Sequence, residues 1–264
     1  MKFLIALALS AAFAGKPQPP SCFGLNPFAF PLPKAGSEAF KKLAASVRSQ
    51  VLQNHSFAVV DLGDYISEAL GRHWYDSMPK GVVSQIHITG GIHYQRDGKQ
   101  IVEPTGLERE TAIDDFSVWV QALVSLASSQ KLLKDTSNFR ASNDENTLMN
   151  IGAWHVDGGG IAALIAVHGV GTEGLGPVPA QMDAGKWTGT YGAEWETLCK
   201  GCKPEVLGRA KLVIFLGAHG QDKANIFRLP YIHRTPQILG ERGLFVFRYK
   251  FTSSDAERES HPKP

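Results

Sequence analysis

The chain reads as an α+β protein, with helices gathered in its first half and antiparallel strands in its second. Two patterns carry that expectation. Between residues 37 and 126 the apolar side chains recur at helical spacing, while after residue 155 they come in short unbroken runs bounded by glycine or proline. A third observation concerns chemistry. His155-Val156-Asp157, then His233, then Arg242 place metal-binding and anion-binding residue types in sequence within the strand-rich half.

The elements follow in order. Ser37 to Leu52 carries apolar residues at helical spacing behind a polar cap, and Val59-Val60 marks a short strand. Asp64 to about Met78 is expected to be a helix. His87 and His93 bracket Ile88-Thr-Gly-Gly-Ile92, which predicts a hairpin whose histidines are candidates to line a pocket. Thr111-Ala-Ile-Asp114 resembles a capping box and opens a longer helix, with Phe116, Trp119, Val120, Leu123 and Leu126 as its buried stripe. Ser137 to Asn146 is polar and is expected to be a loop. Ile161–Val167, Lys211–Leu216 and Gly243–Tyr249 are rich in β-branched and aromatic residues and predict strands. Residues 172–208 are glycine-rich and irregular but contain Trp187, Tyr191 and Trp195, so a lid over a pocket or a peripheral subdomain is expected there.

The chemistry lies in the H-x-D. Residues i and i+2 of an extended strand point the same way, so His155 and Asp157 can grip one ion from one side. His233, from a distant strand, supplies the third corner. Two histidines and a carboxylate on one face leave positions open for other ligands, as in non-haem Fe(II) oxygenases. The ordinary alternative is a His–carboxylate hydrogen bond at a strand end. His219 competes with His233 for the third place, because Arg228 follows it at the same nine-residue spacing at which Arg242 follows His233. Context favours His233, which continues the run Phe227–Ile232 and precedes a Gly240 turn, whereas His219 ends an apolar run in a glycine-rich turn. His168 reads as a structural histidine.

This order of ligands on antiparallel strands resembles the Fe(II)/2-oxoglutarate oxygenase superfamily, in which the distal histidine is followed by a G-x-R that opens the last core strand. Ile232-His233 through Gly240-Glu-Arg242 and on to Phe247 has that form. A narrower resemblance, over roughly residues 140–250, is to a mostly bacterial family of unknown function marked by H-x-D, G-x-G-T-E and H-R-[ST]-P. The chain carries His155-Val-Asp157, Gly169-Val-Gly-Thr-Glu173 and His233-Arg-Thr-Pro236. The resemblance implies a double-stranded β-helix (jelly-roll) core with N-terminal flanking helices. It also implies Fe(II) on His155, Asp157 and His233, and 2-oxoglutarate with its far carboxylate held by Arg242. Arg248, on the same strand face by period two, is the substitute anchor. Arg242 could instead be a turn residue paired with Glu241, and Arg234 and Thr235 could add contacts. The substrate, a small molecule or peptide, is not implied. Two rivals stand beside this reading: a cupin-like protein holding Zn(II) or another divalent ion without 2-oxoglutarate, and a catalytically silent β-barrel that binds a ligand.

Phe3 to Ala14 is an uncharged apolar run after Met1-Lys2, of a length that suits a secretory leader and is too short for a membrane span, and Ala12-Phe-Ala14 fits the small-x-small cleavage rule. The secretory pathway is therefore expected, with a plastid reached through a bipartite leader as the alternative, since residues 15–50 are rich in lysine. The expected organisation is a signal peptide over 1–14, a leader or linker with the start of the first helix over 15–50, a single domain over 51–252 and a polar tail over 253–264. The 264 residues, less the leader and loose segment, leave roughly 210, which is one good-sized domain. A net charge of +2 without a basic stripe argues against a nucleic-acid partner, and no run is long enough to hold the mature protein in a membrane. Three cysteines are too few for a disulfide scaffold, and Cys199-Lys-Gly-Cys202 is a lone pair that suits a local disulfide better than zinc, leaving Cys22 over.

Overall fold

The computed structural model describes residues 26–80, 82–86, 92–96, 99–102, 107–143, 153–178, 203–218, 226–236 and 240–252. The expected leader, Cys199 and Cys202, His219, His87 and most of the segment expected as a lid lie outside these residues.

Three helices come first, and each boundary has a local cause. Helix α1 (Glu38–Asn54) begins at Ser37, whose hydroxyl accepts from the Phe40 amide, and ends where His55 turns left-handed. Strand β1 (Phe57–Asp61) follows. Helix α2 (Glu68–Ser77) starts four residues later than the sequence suggests, because Ser67 is the residue that caps it, accepting from the Leu70 amide. Strands β2 (Val82–Ile86) and β3 (Ile92–Arg96) pair antiparallel with Ile86 opposite Ile92, the expected hairpin, and β4 (Lys99–Val102) extends it. Helix α3 (Leu107–Ser128) begins before the expected capping box, with Glu108 and Glu110 in its first turn, where the helix dipole favours negative charge. Thr111 is therefore interior to the helix rather than its cap. Phe116, Trp119, Val120 and Leu123 are buried as expected, with Ile113, Val124 and Ala127 completing the face. Leu126 is 50% exposed instead, since at 100° per residue it falls about 100° from the centre of that face.

The remaining strands are β5 (Leu132–Ser142), β6 (Ile161–His168), β7 (Glu173–Pro177), β8 (Glu205–Val206), β9 (Lys211–Leu216), β10 (Tyr231–Arg234) and β11 (Arg242–Phe251). The polar stretch Ser137–Ser142 is thus strand, not loop, and it lies between β11 and β2. Its polarity is accommodated residue by residue: Ser137 donates to the Ser117 hydroxyl at 2.9 Å, and Asn138 accepts from Arg140 at 3.3 Å.

Eight strands form one sheet in the order β1-β9-β6-β11-β5-β2-β3-β4, and a smaller sheet has the order β10-β7-β8. Every paired strand is antiparallel to its neighbours. From β5 onward the chain steps back and forth between them: β5 in the large sheet, His155 bridged to His233 of β10, β6 in the large sheet, β7 and β8 in the small, β9 large, β10 small, β11 large. That alternation is the double-stranded β-helix expected from the sequence.

Period-two alternation on β11 shows how the layers stack. Phe245, Phe247 and Tyr249 point toward the helices, into a core with Phe116, Trp74, Phe139 and Val47. Leu244 and Val246 point the other way, into the space between the sheets with Ala162, Leu164, Val213 and Phe215. Trp154, Val156, Val178 and Ile232 form a third apolar cluster with the small sheet. The core begins before residue 51. Phe28 and Phe30 pack on Trp74, the Trp74 and Trp119 indoles donate to the Phe28 and Pro33 carbonyls, and Phe40, Ala44 and Val47 are buried. The stretch expected as leader or linker over 15–50 therefore belongs to the domain from at least Asn26, and residue 51 falls inside α1. No helix among the described residues is long and apolar enough to cross a membrane.

Candidate metal centre and anion pocket

His155 and Asp157 stand on the segment that leaves the small sheet, and His233 stands on β10 beside it. His155 and His233 exchange both backbone hydrogen bonds, N to O at 3.0 Å in each direction, so their side chains leave the sheet together with ring centroids 4.5 Å apart. Asp157 is held by its carbonyl, which accepts from the Ala218 amide at 2.8 Å. The turn after Asp157 lies so close to Gly217 that a Cβ there would meet the carbonyl oxygens of Asp157, Gly158 and Gly159 at 2.8–2.9 Å. A glycine at 217 lets the ligand-bearing turn lie against the end of β9.

The three residues are 5%, 9% and 3% exposed, and their donor atoms lie within 4.8 Å of one another. Asp157 Oδ1 is 3.8 Å from His155 Nε2 and Asp157 Oδ2 is 3.9 Å from His233 Nε2. These gaps are too long for hydrogen bonds, but two ligands of one ion with bonds of about 2.1 Å can span them. Each ring is turned by its other nitrogen: His155 Nδ1 lies 2.9 Å from the Ala153 carbonyl and His233 Nδ1 lies 3.3 Å from the Tyr231 carbonyl. A carbonyl only accepts, so Nδ1 carries the proton and Nε2 presents its lone pair to the shared space, as metal ligation needs.

Charge prepares the same state. Burial lowers the His233 pKa to about 4, against the pull of Asp157, so the ring is neutral at pH 7. Burial alone would raise the Asp157 carboxyl; the attraction of His233 and of the Arg248 and Arg140 guanidiniums holds it below the usual carboxylate range. A neutral imidazole beside an ionised carboxylate is the protonation state in which a divalent ion binds without displacing protons. The bland alternative, a plain His–carboxylate hydrogen bond, does not match these distances. Among the described residues this is the one cluster of three such ligands. His219, the rival, lies outside them. Arg228, its companion, is exposed and its amide donates to the His55 carbonyl.

Next to the ligands is a pocket open to solvent, lined by the triad and by Arg140, Thr172, Thr235, Arg242 and Arg248 among others. Arg242 is 6% exposed and donates from Nε to the Val170 carbonyl at 3.0 Å, from Nη2 to the Gly171 carbonyl at 3.1 Å and from Nη1 to the Thr235 hydroxyl at 3.3 Å. It forms no ion pair among the described residues, and burial with the nearby Arg140 charge lowers its pKa to about 10. It is not the Glu241 partner that a surface turn would make of it; Glu241 bonds Arg72 and His168 instead. The His168 ring also lies against that of Tyr75, with centroids 4.7 Å apart.

The G-V-G-T-E segment now has a physical role. Its carbonyls at Val170 and Gly171 hold Arg242, and Glu173 pairs with Arg234 at 2.7 Å. Arg234 in turn lies 4.2 Å above the Trp154 ring. Gly169 makes this possible: its φ is +70°, and a Cβ there would lie 2.0 Å from the Glu241 carbonyl oxygen. Arg248 shares the pocket face with Arg242, as period two requires, but reaches Asp157 Oδ1 at 3.4 Å. It therefore stands beside the metal carboxylate rather than at the far end of the pocket. The backbone of His93 lies in β3 of the hairpin.

Sequence reasoning missed Arg140 and Thr172. Arg140 sat in the stretch expected to be loop, and the signal that could have found it is the alternation Asn138-Phe139-Arg140-Ala141, polar and apolar by turns.

No known sequence family matches the chain, and no curated protein is similar to it in sequence. Several solved structures are similar in shape. AviO1 from Streptomyces viridochromogenes aligns at 12% identity over 83% of this chain and 99% of its own, with a TM-score of 0.43. A prolyl 4-hydroxylase of Phytophthora capsici aligns at 9% identity over 88% and 72%, with a TM-score of 0.45. A full-length Neurospora crassa protein solved with alpha-KG aligns at 11% identity over 82% and 81%, with a TM-score of 0.44. At such identities the function has to be read from the side chains themselves.

Proposed function

We propose that the chain is an Fe(II)- and 2-oxoglutarate-dependent oxygenase that oxidises a substrate taken up in the pocket between the sheets. The observation that carries this is the pairing of two sites in one pocket: a buried two-histidine, one-carboxylate face, and a buried guanidinium with no carboxylate partner among the described residues. The first fits a divalent ion with open positions, and the second fits the far carboxylate of a dicarboxylic co-substrate. A cupin-like metal protein has no need of the second feature, since a buried charge that no described carboxylate pairs lowers stability unless a ligand offsets it.

The parts can be assigned by role. His155, Asp157 and His233 would hold Fe(II). Arg242, kept in place by Val170, Gly171 and Thr235, would receive the far carboxylate of 2-oxoglutarate. Bound there, iron and 2-oxoglutarate together supply the activation of dioxygen that side chains alone cannot. Arg248 orients Asp157 and keeps it ionised. Leu244, Val246 and Leu164 wall the pocket with apolar surface and exclude water. The narrower kinship with the bacterial family marked by H-x-D, G-x-G-T-E and H-R-[ST]-P is supported by the way Glu173, Arg234 and Arg242 tie those motifs into one structure.

Full-length protein loaded with Fe(II) tests the proposal by release of carbon dioxide from 2-oxoglutarate, which such enzymes support slowly even without their substrate. Release that requires iron, and that His233→Ala abolishes, is expected. Tight metal binding with no 2-oxoglutarate binding would place the cupin-like reading first.

A further inference from the structure

The charges of the pocket do not balance, and the imbalance is localised. Among the described residues, four guanidiniums line or border it (Arg140, Arg234, Arg242 and Arg248), against the carboxylates of Asp157 and Glu173. That leaves an excess of two positive charges. If the oxygenase reading holds, a divalent ion and a dianionic co-substrate cancel one another, and the excess of two remains.

Arg140 is the least satisfied of the four among the described residues. Arg234 has Glu173, Arg248 has Asp157, and Arg242 is fixed by three acceptors. Among the described residues it donates a single bond, from Nε to the Asn138 amide oxygen at 3.3 Å, two residues back on the same strand. Burial, with the adjacent Arg248 charge, lowers its pKa even though Asp157 acts in the opposite sense.

Its position separates it from the co-substrate line. Arg242 and Arg248 stand on β11, and Asp157 is beside Arg248, so a molecule reaching from the metal to Arg242 follows that strand. Arg140 stands on β5, opposite Leu244 in register, and its head turns back toward Asn138, which is opposite Val246. The guanidinium is therefore level with the gap between the two other arginines and displaced one strand toward β2. Arg140 lines the pocket, and among the described residues its Nη groups donate no hydrogen bond, which leaves them capacity to spare.

We infer that Arg140 is the anchor of a second anion subsite, and that the substrate oxidised here is a small molecule bearing a carboxylate or phosphate group. This rests on the oxygenase reading for the word substrate, but the subsite itself rests on Arg140. A carboxylate or phosphate oxygen pair matches the fork of Nη1 and Nη2, and the partly desolvated setting strengthens the bond.

The test uses the full chain, loaded with Mn(II) without dioxygen and saturated with 2-oxoglutarate, so that Arg242 is occupied. Acetate and inorganic phosphate are titrated in turn at constant ionic strength, and binding is read by calorimetry. Wild type should bind one of them, and which one tells a carboxylic from a phosphorylated substrate. Arg140→Gln should weaken that binding at least about 30-fold. It should leave Mn(II) and 2-oxoglutarate affinities within about threefold, and circular dichroism should report the wild-type fold. If Arg140→Gln weakens 2-oxoglutarate as much as Arg242→Gln does, Arg140 is part of the co-substrate clamp and the inference is overturned. Absence of acetate and phosphate binding in the wild-type ternary complex overturns it too. Wild type that binds phosphate through Arg140 yet takes up no Mn(II) would overturn the oxygenase reading and leave the subsite standing.

Discussion

His155 and His233, 78 positions apart in the chain, are each other's backbone partner: the amide of each donates to the carbonyl of the other at 3.0 Å. A closely hydrogen-bonded antiparallel pair projects both side chains to one side, so the spacing of the two imidazoles is set by the sheet and not by loop conformation. Asp157 joins them by period two. A site on paired strands is already assembled before any ion arrives, which keeps the entropic cost of binding low.

From this geometry, His155→Ala, Asp157→Ala and His233→Ala should each weaken Fe(II) or Mn(II) binding by more than about 100-fold, since even outer contacts of a metal site are worth 10- to 100-fold. The circular dichroism of all three should match wild type, because the backbone bridge survives the substitutions. His219→Ala should bind metal normally. Anaerobic calorimetry decides it, and normal binding by His233→Ala would remove the third ligand from the assignment.

Acid should destabilise the protein through His233. Its pKa falls from 6.5 in the ordinary state to about 4 when folded. Between those values the unfolded chain binds the proton and the folded one does not, so stability is complete above about pH 6.5 and is lost as pH falls toward 4. The loss amounts to about 3 kcal/mol at most. Urea unfolding of the metal-free protein at pH 7.5 and pH 5 should show it, and His233→Leu should unfold with a much smaller difference between the two pH values. An undiminished difference in that variant would assign the effect to another group.

Arg242→Ala should weaken 2-oxoglutarate binding by roughly 30- to several-thousand-fold while sparing metal affinity, the range expected when one partner of a buried charged pair is lost. Arg242→Lys should recover only part, because an ammonium cannot reproduce the planar fork. Arg248→Ala should act differently, loosening metal through Asp157 more than 2-oxoglutarate. Titration of 2-oxoglutarate into the Mn(II)-loaded variants separates these outcomes, and a loss confined to Arg248→Ala would move the anchor along β11.

Gly169→Ala should damage the same function from a distance. The backbone there has φ +70°, and the added methyl would lie 2.0 Å from the Glu241 carbonyl oxygen, so the Val170–Gly171 carbonyls must shift away from Arg242. A cost of about 1–3 kcal/mol for the backbone conformation alone is expected, with the clash added to it. Denaturant unfolding should show the lost stability, and 2-oxoglutarate affinity should fall with metal affinity little changed.

Much of this protein is legible in local pattern. The apolar runs at Ile161–Val167, Lys211–Leu216 and Gly243–Tyr249 are strands because β-branched and aromatic residues fit a pleated surface buried on both faces. Ser37 marks the start of α1 because its hydroxyl meets the free amide of Phe40. The H-x-D needs nothing beyond strand parity to put His155 and Asp157 on one side. These are short-range facts, set within a few residues of chain.

What escaped was decided at long range. Ser137–Ser142 is polar enough to read as loop, yet it is a central strand because Ser117 receives Ser137 and the pocket receives Arg140, and those partners come from elsewhere in the chain. Arg140 is therefore invisible as a site residue until β5 is seen beside β11. The same holds for Phe28 and Phe30, which look like linker until Trp74 and Phe245 are packed on them. Arg242 and Glu241, adjacent in sequence, part company only in the fold, one buried against Val170 and Gly171 and the other drawn outward to Arg72. The sequence by itself determined which residues can ligate and where strands and helices can form; which polar side chains became a pocket was decided by tertiary pairing, because a charge can be buried only where distant backbone and ligand groups arrive to satisfy it.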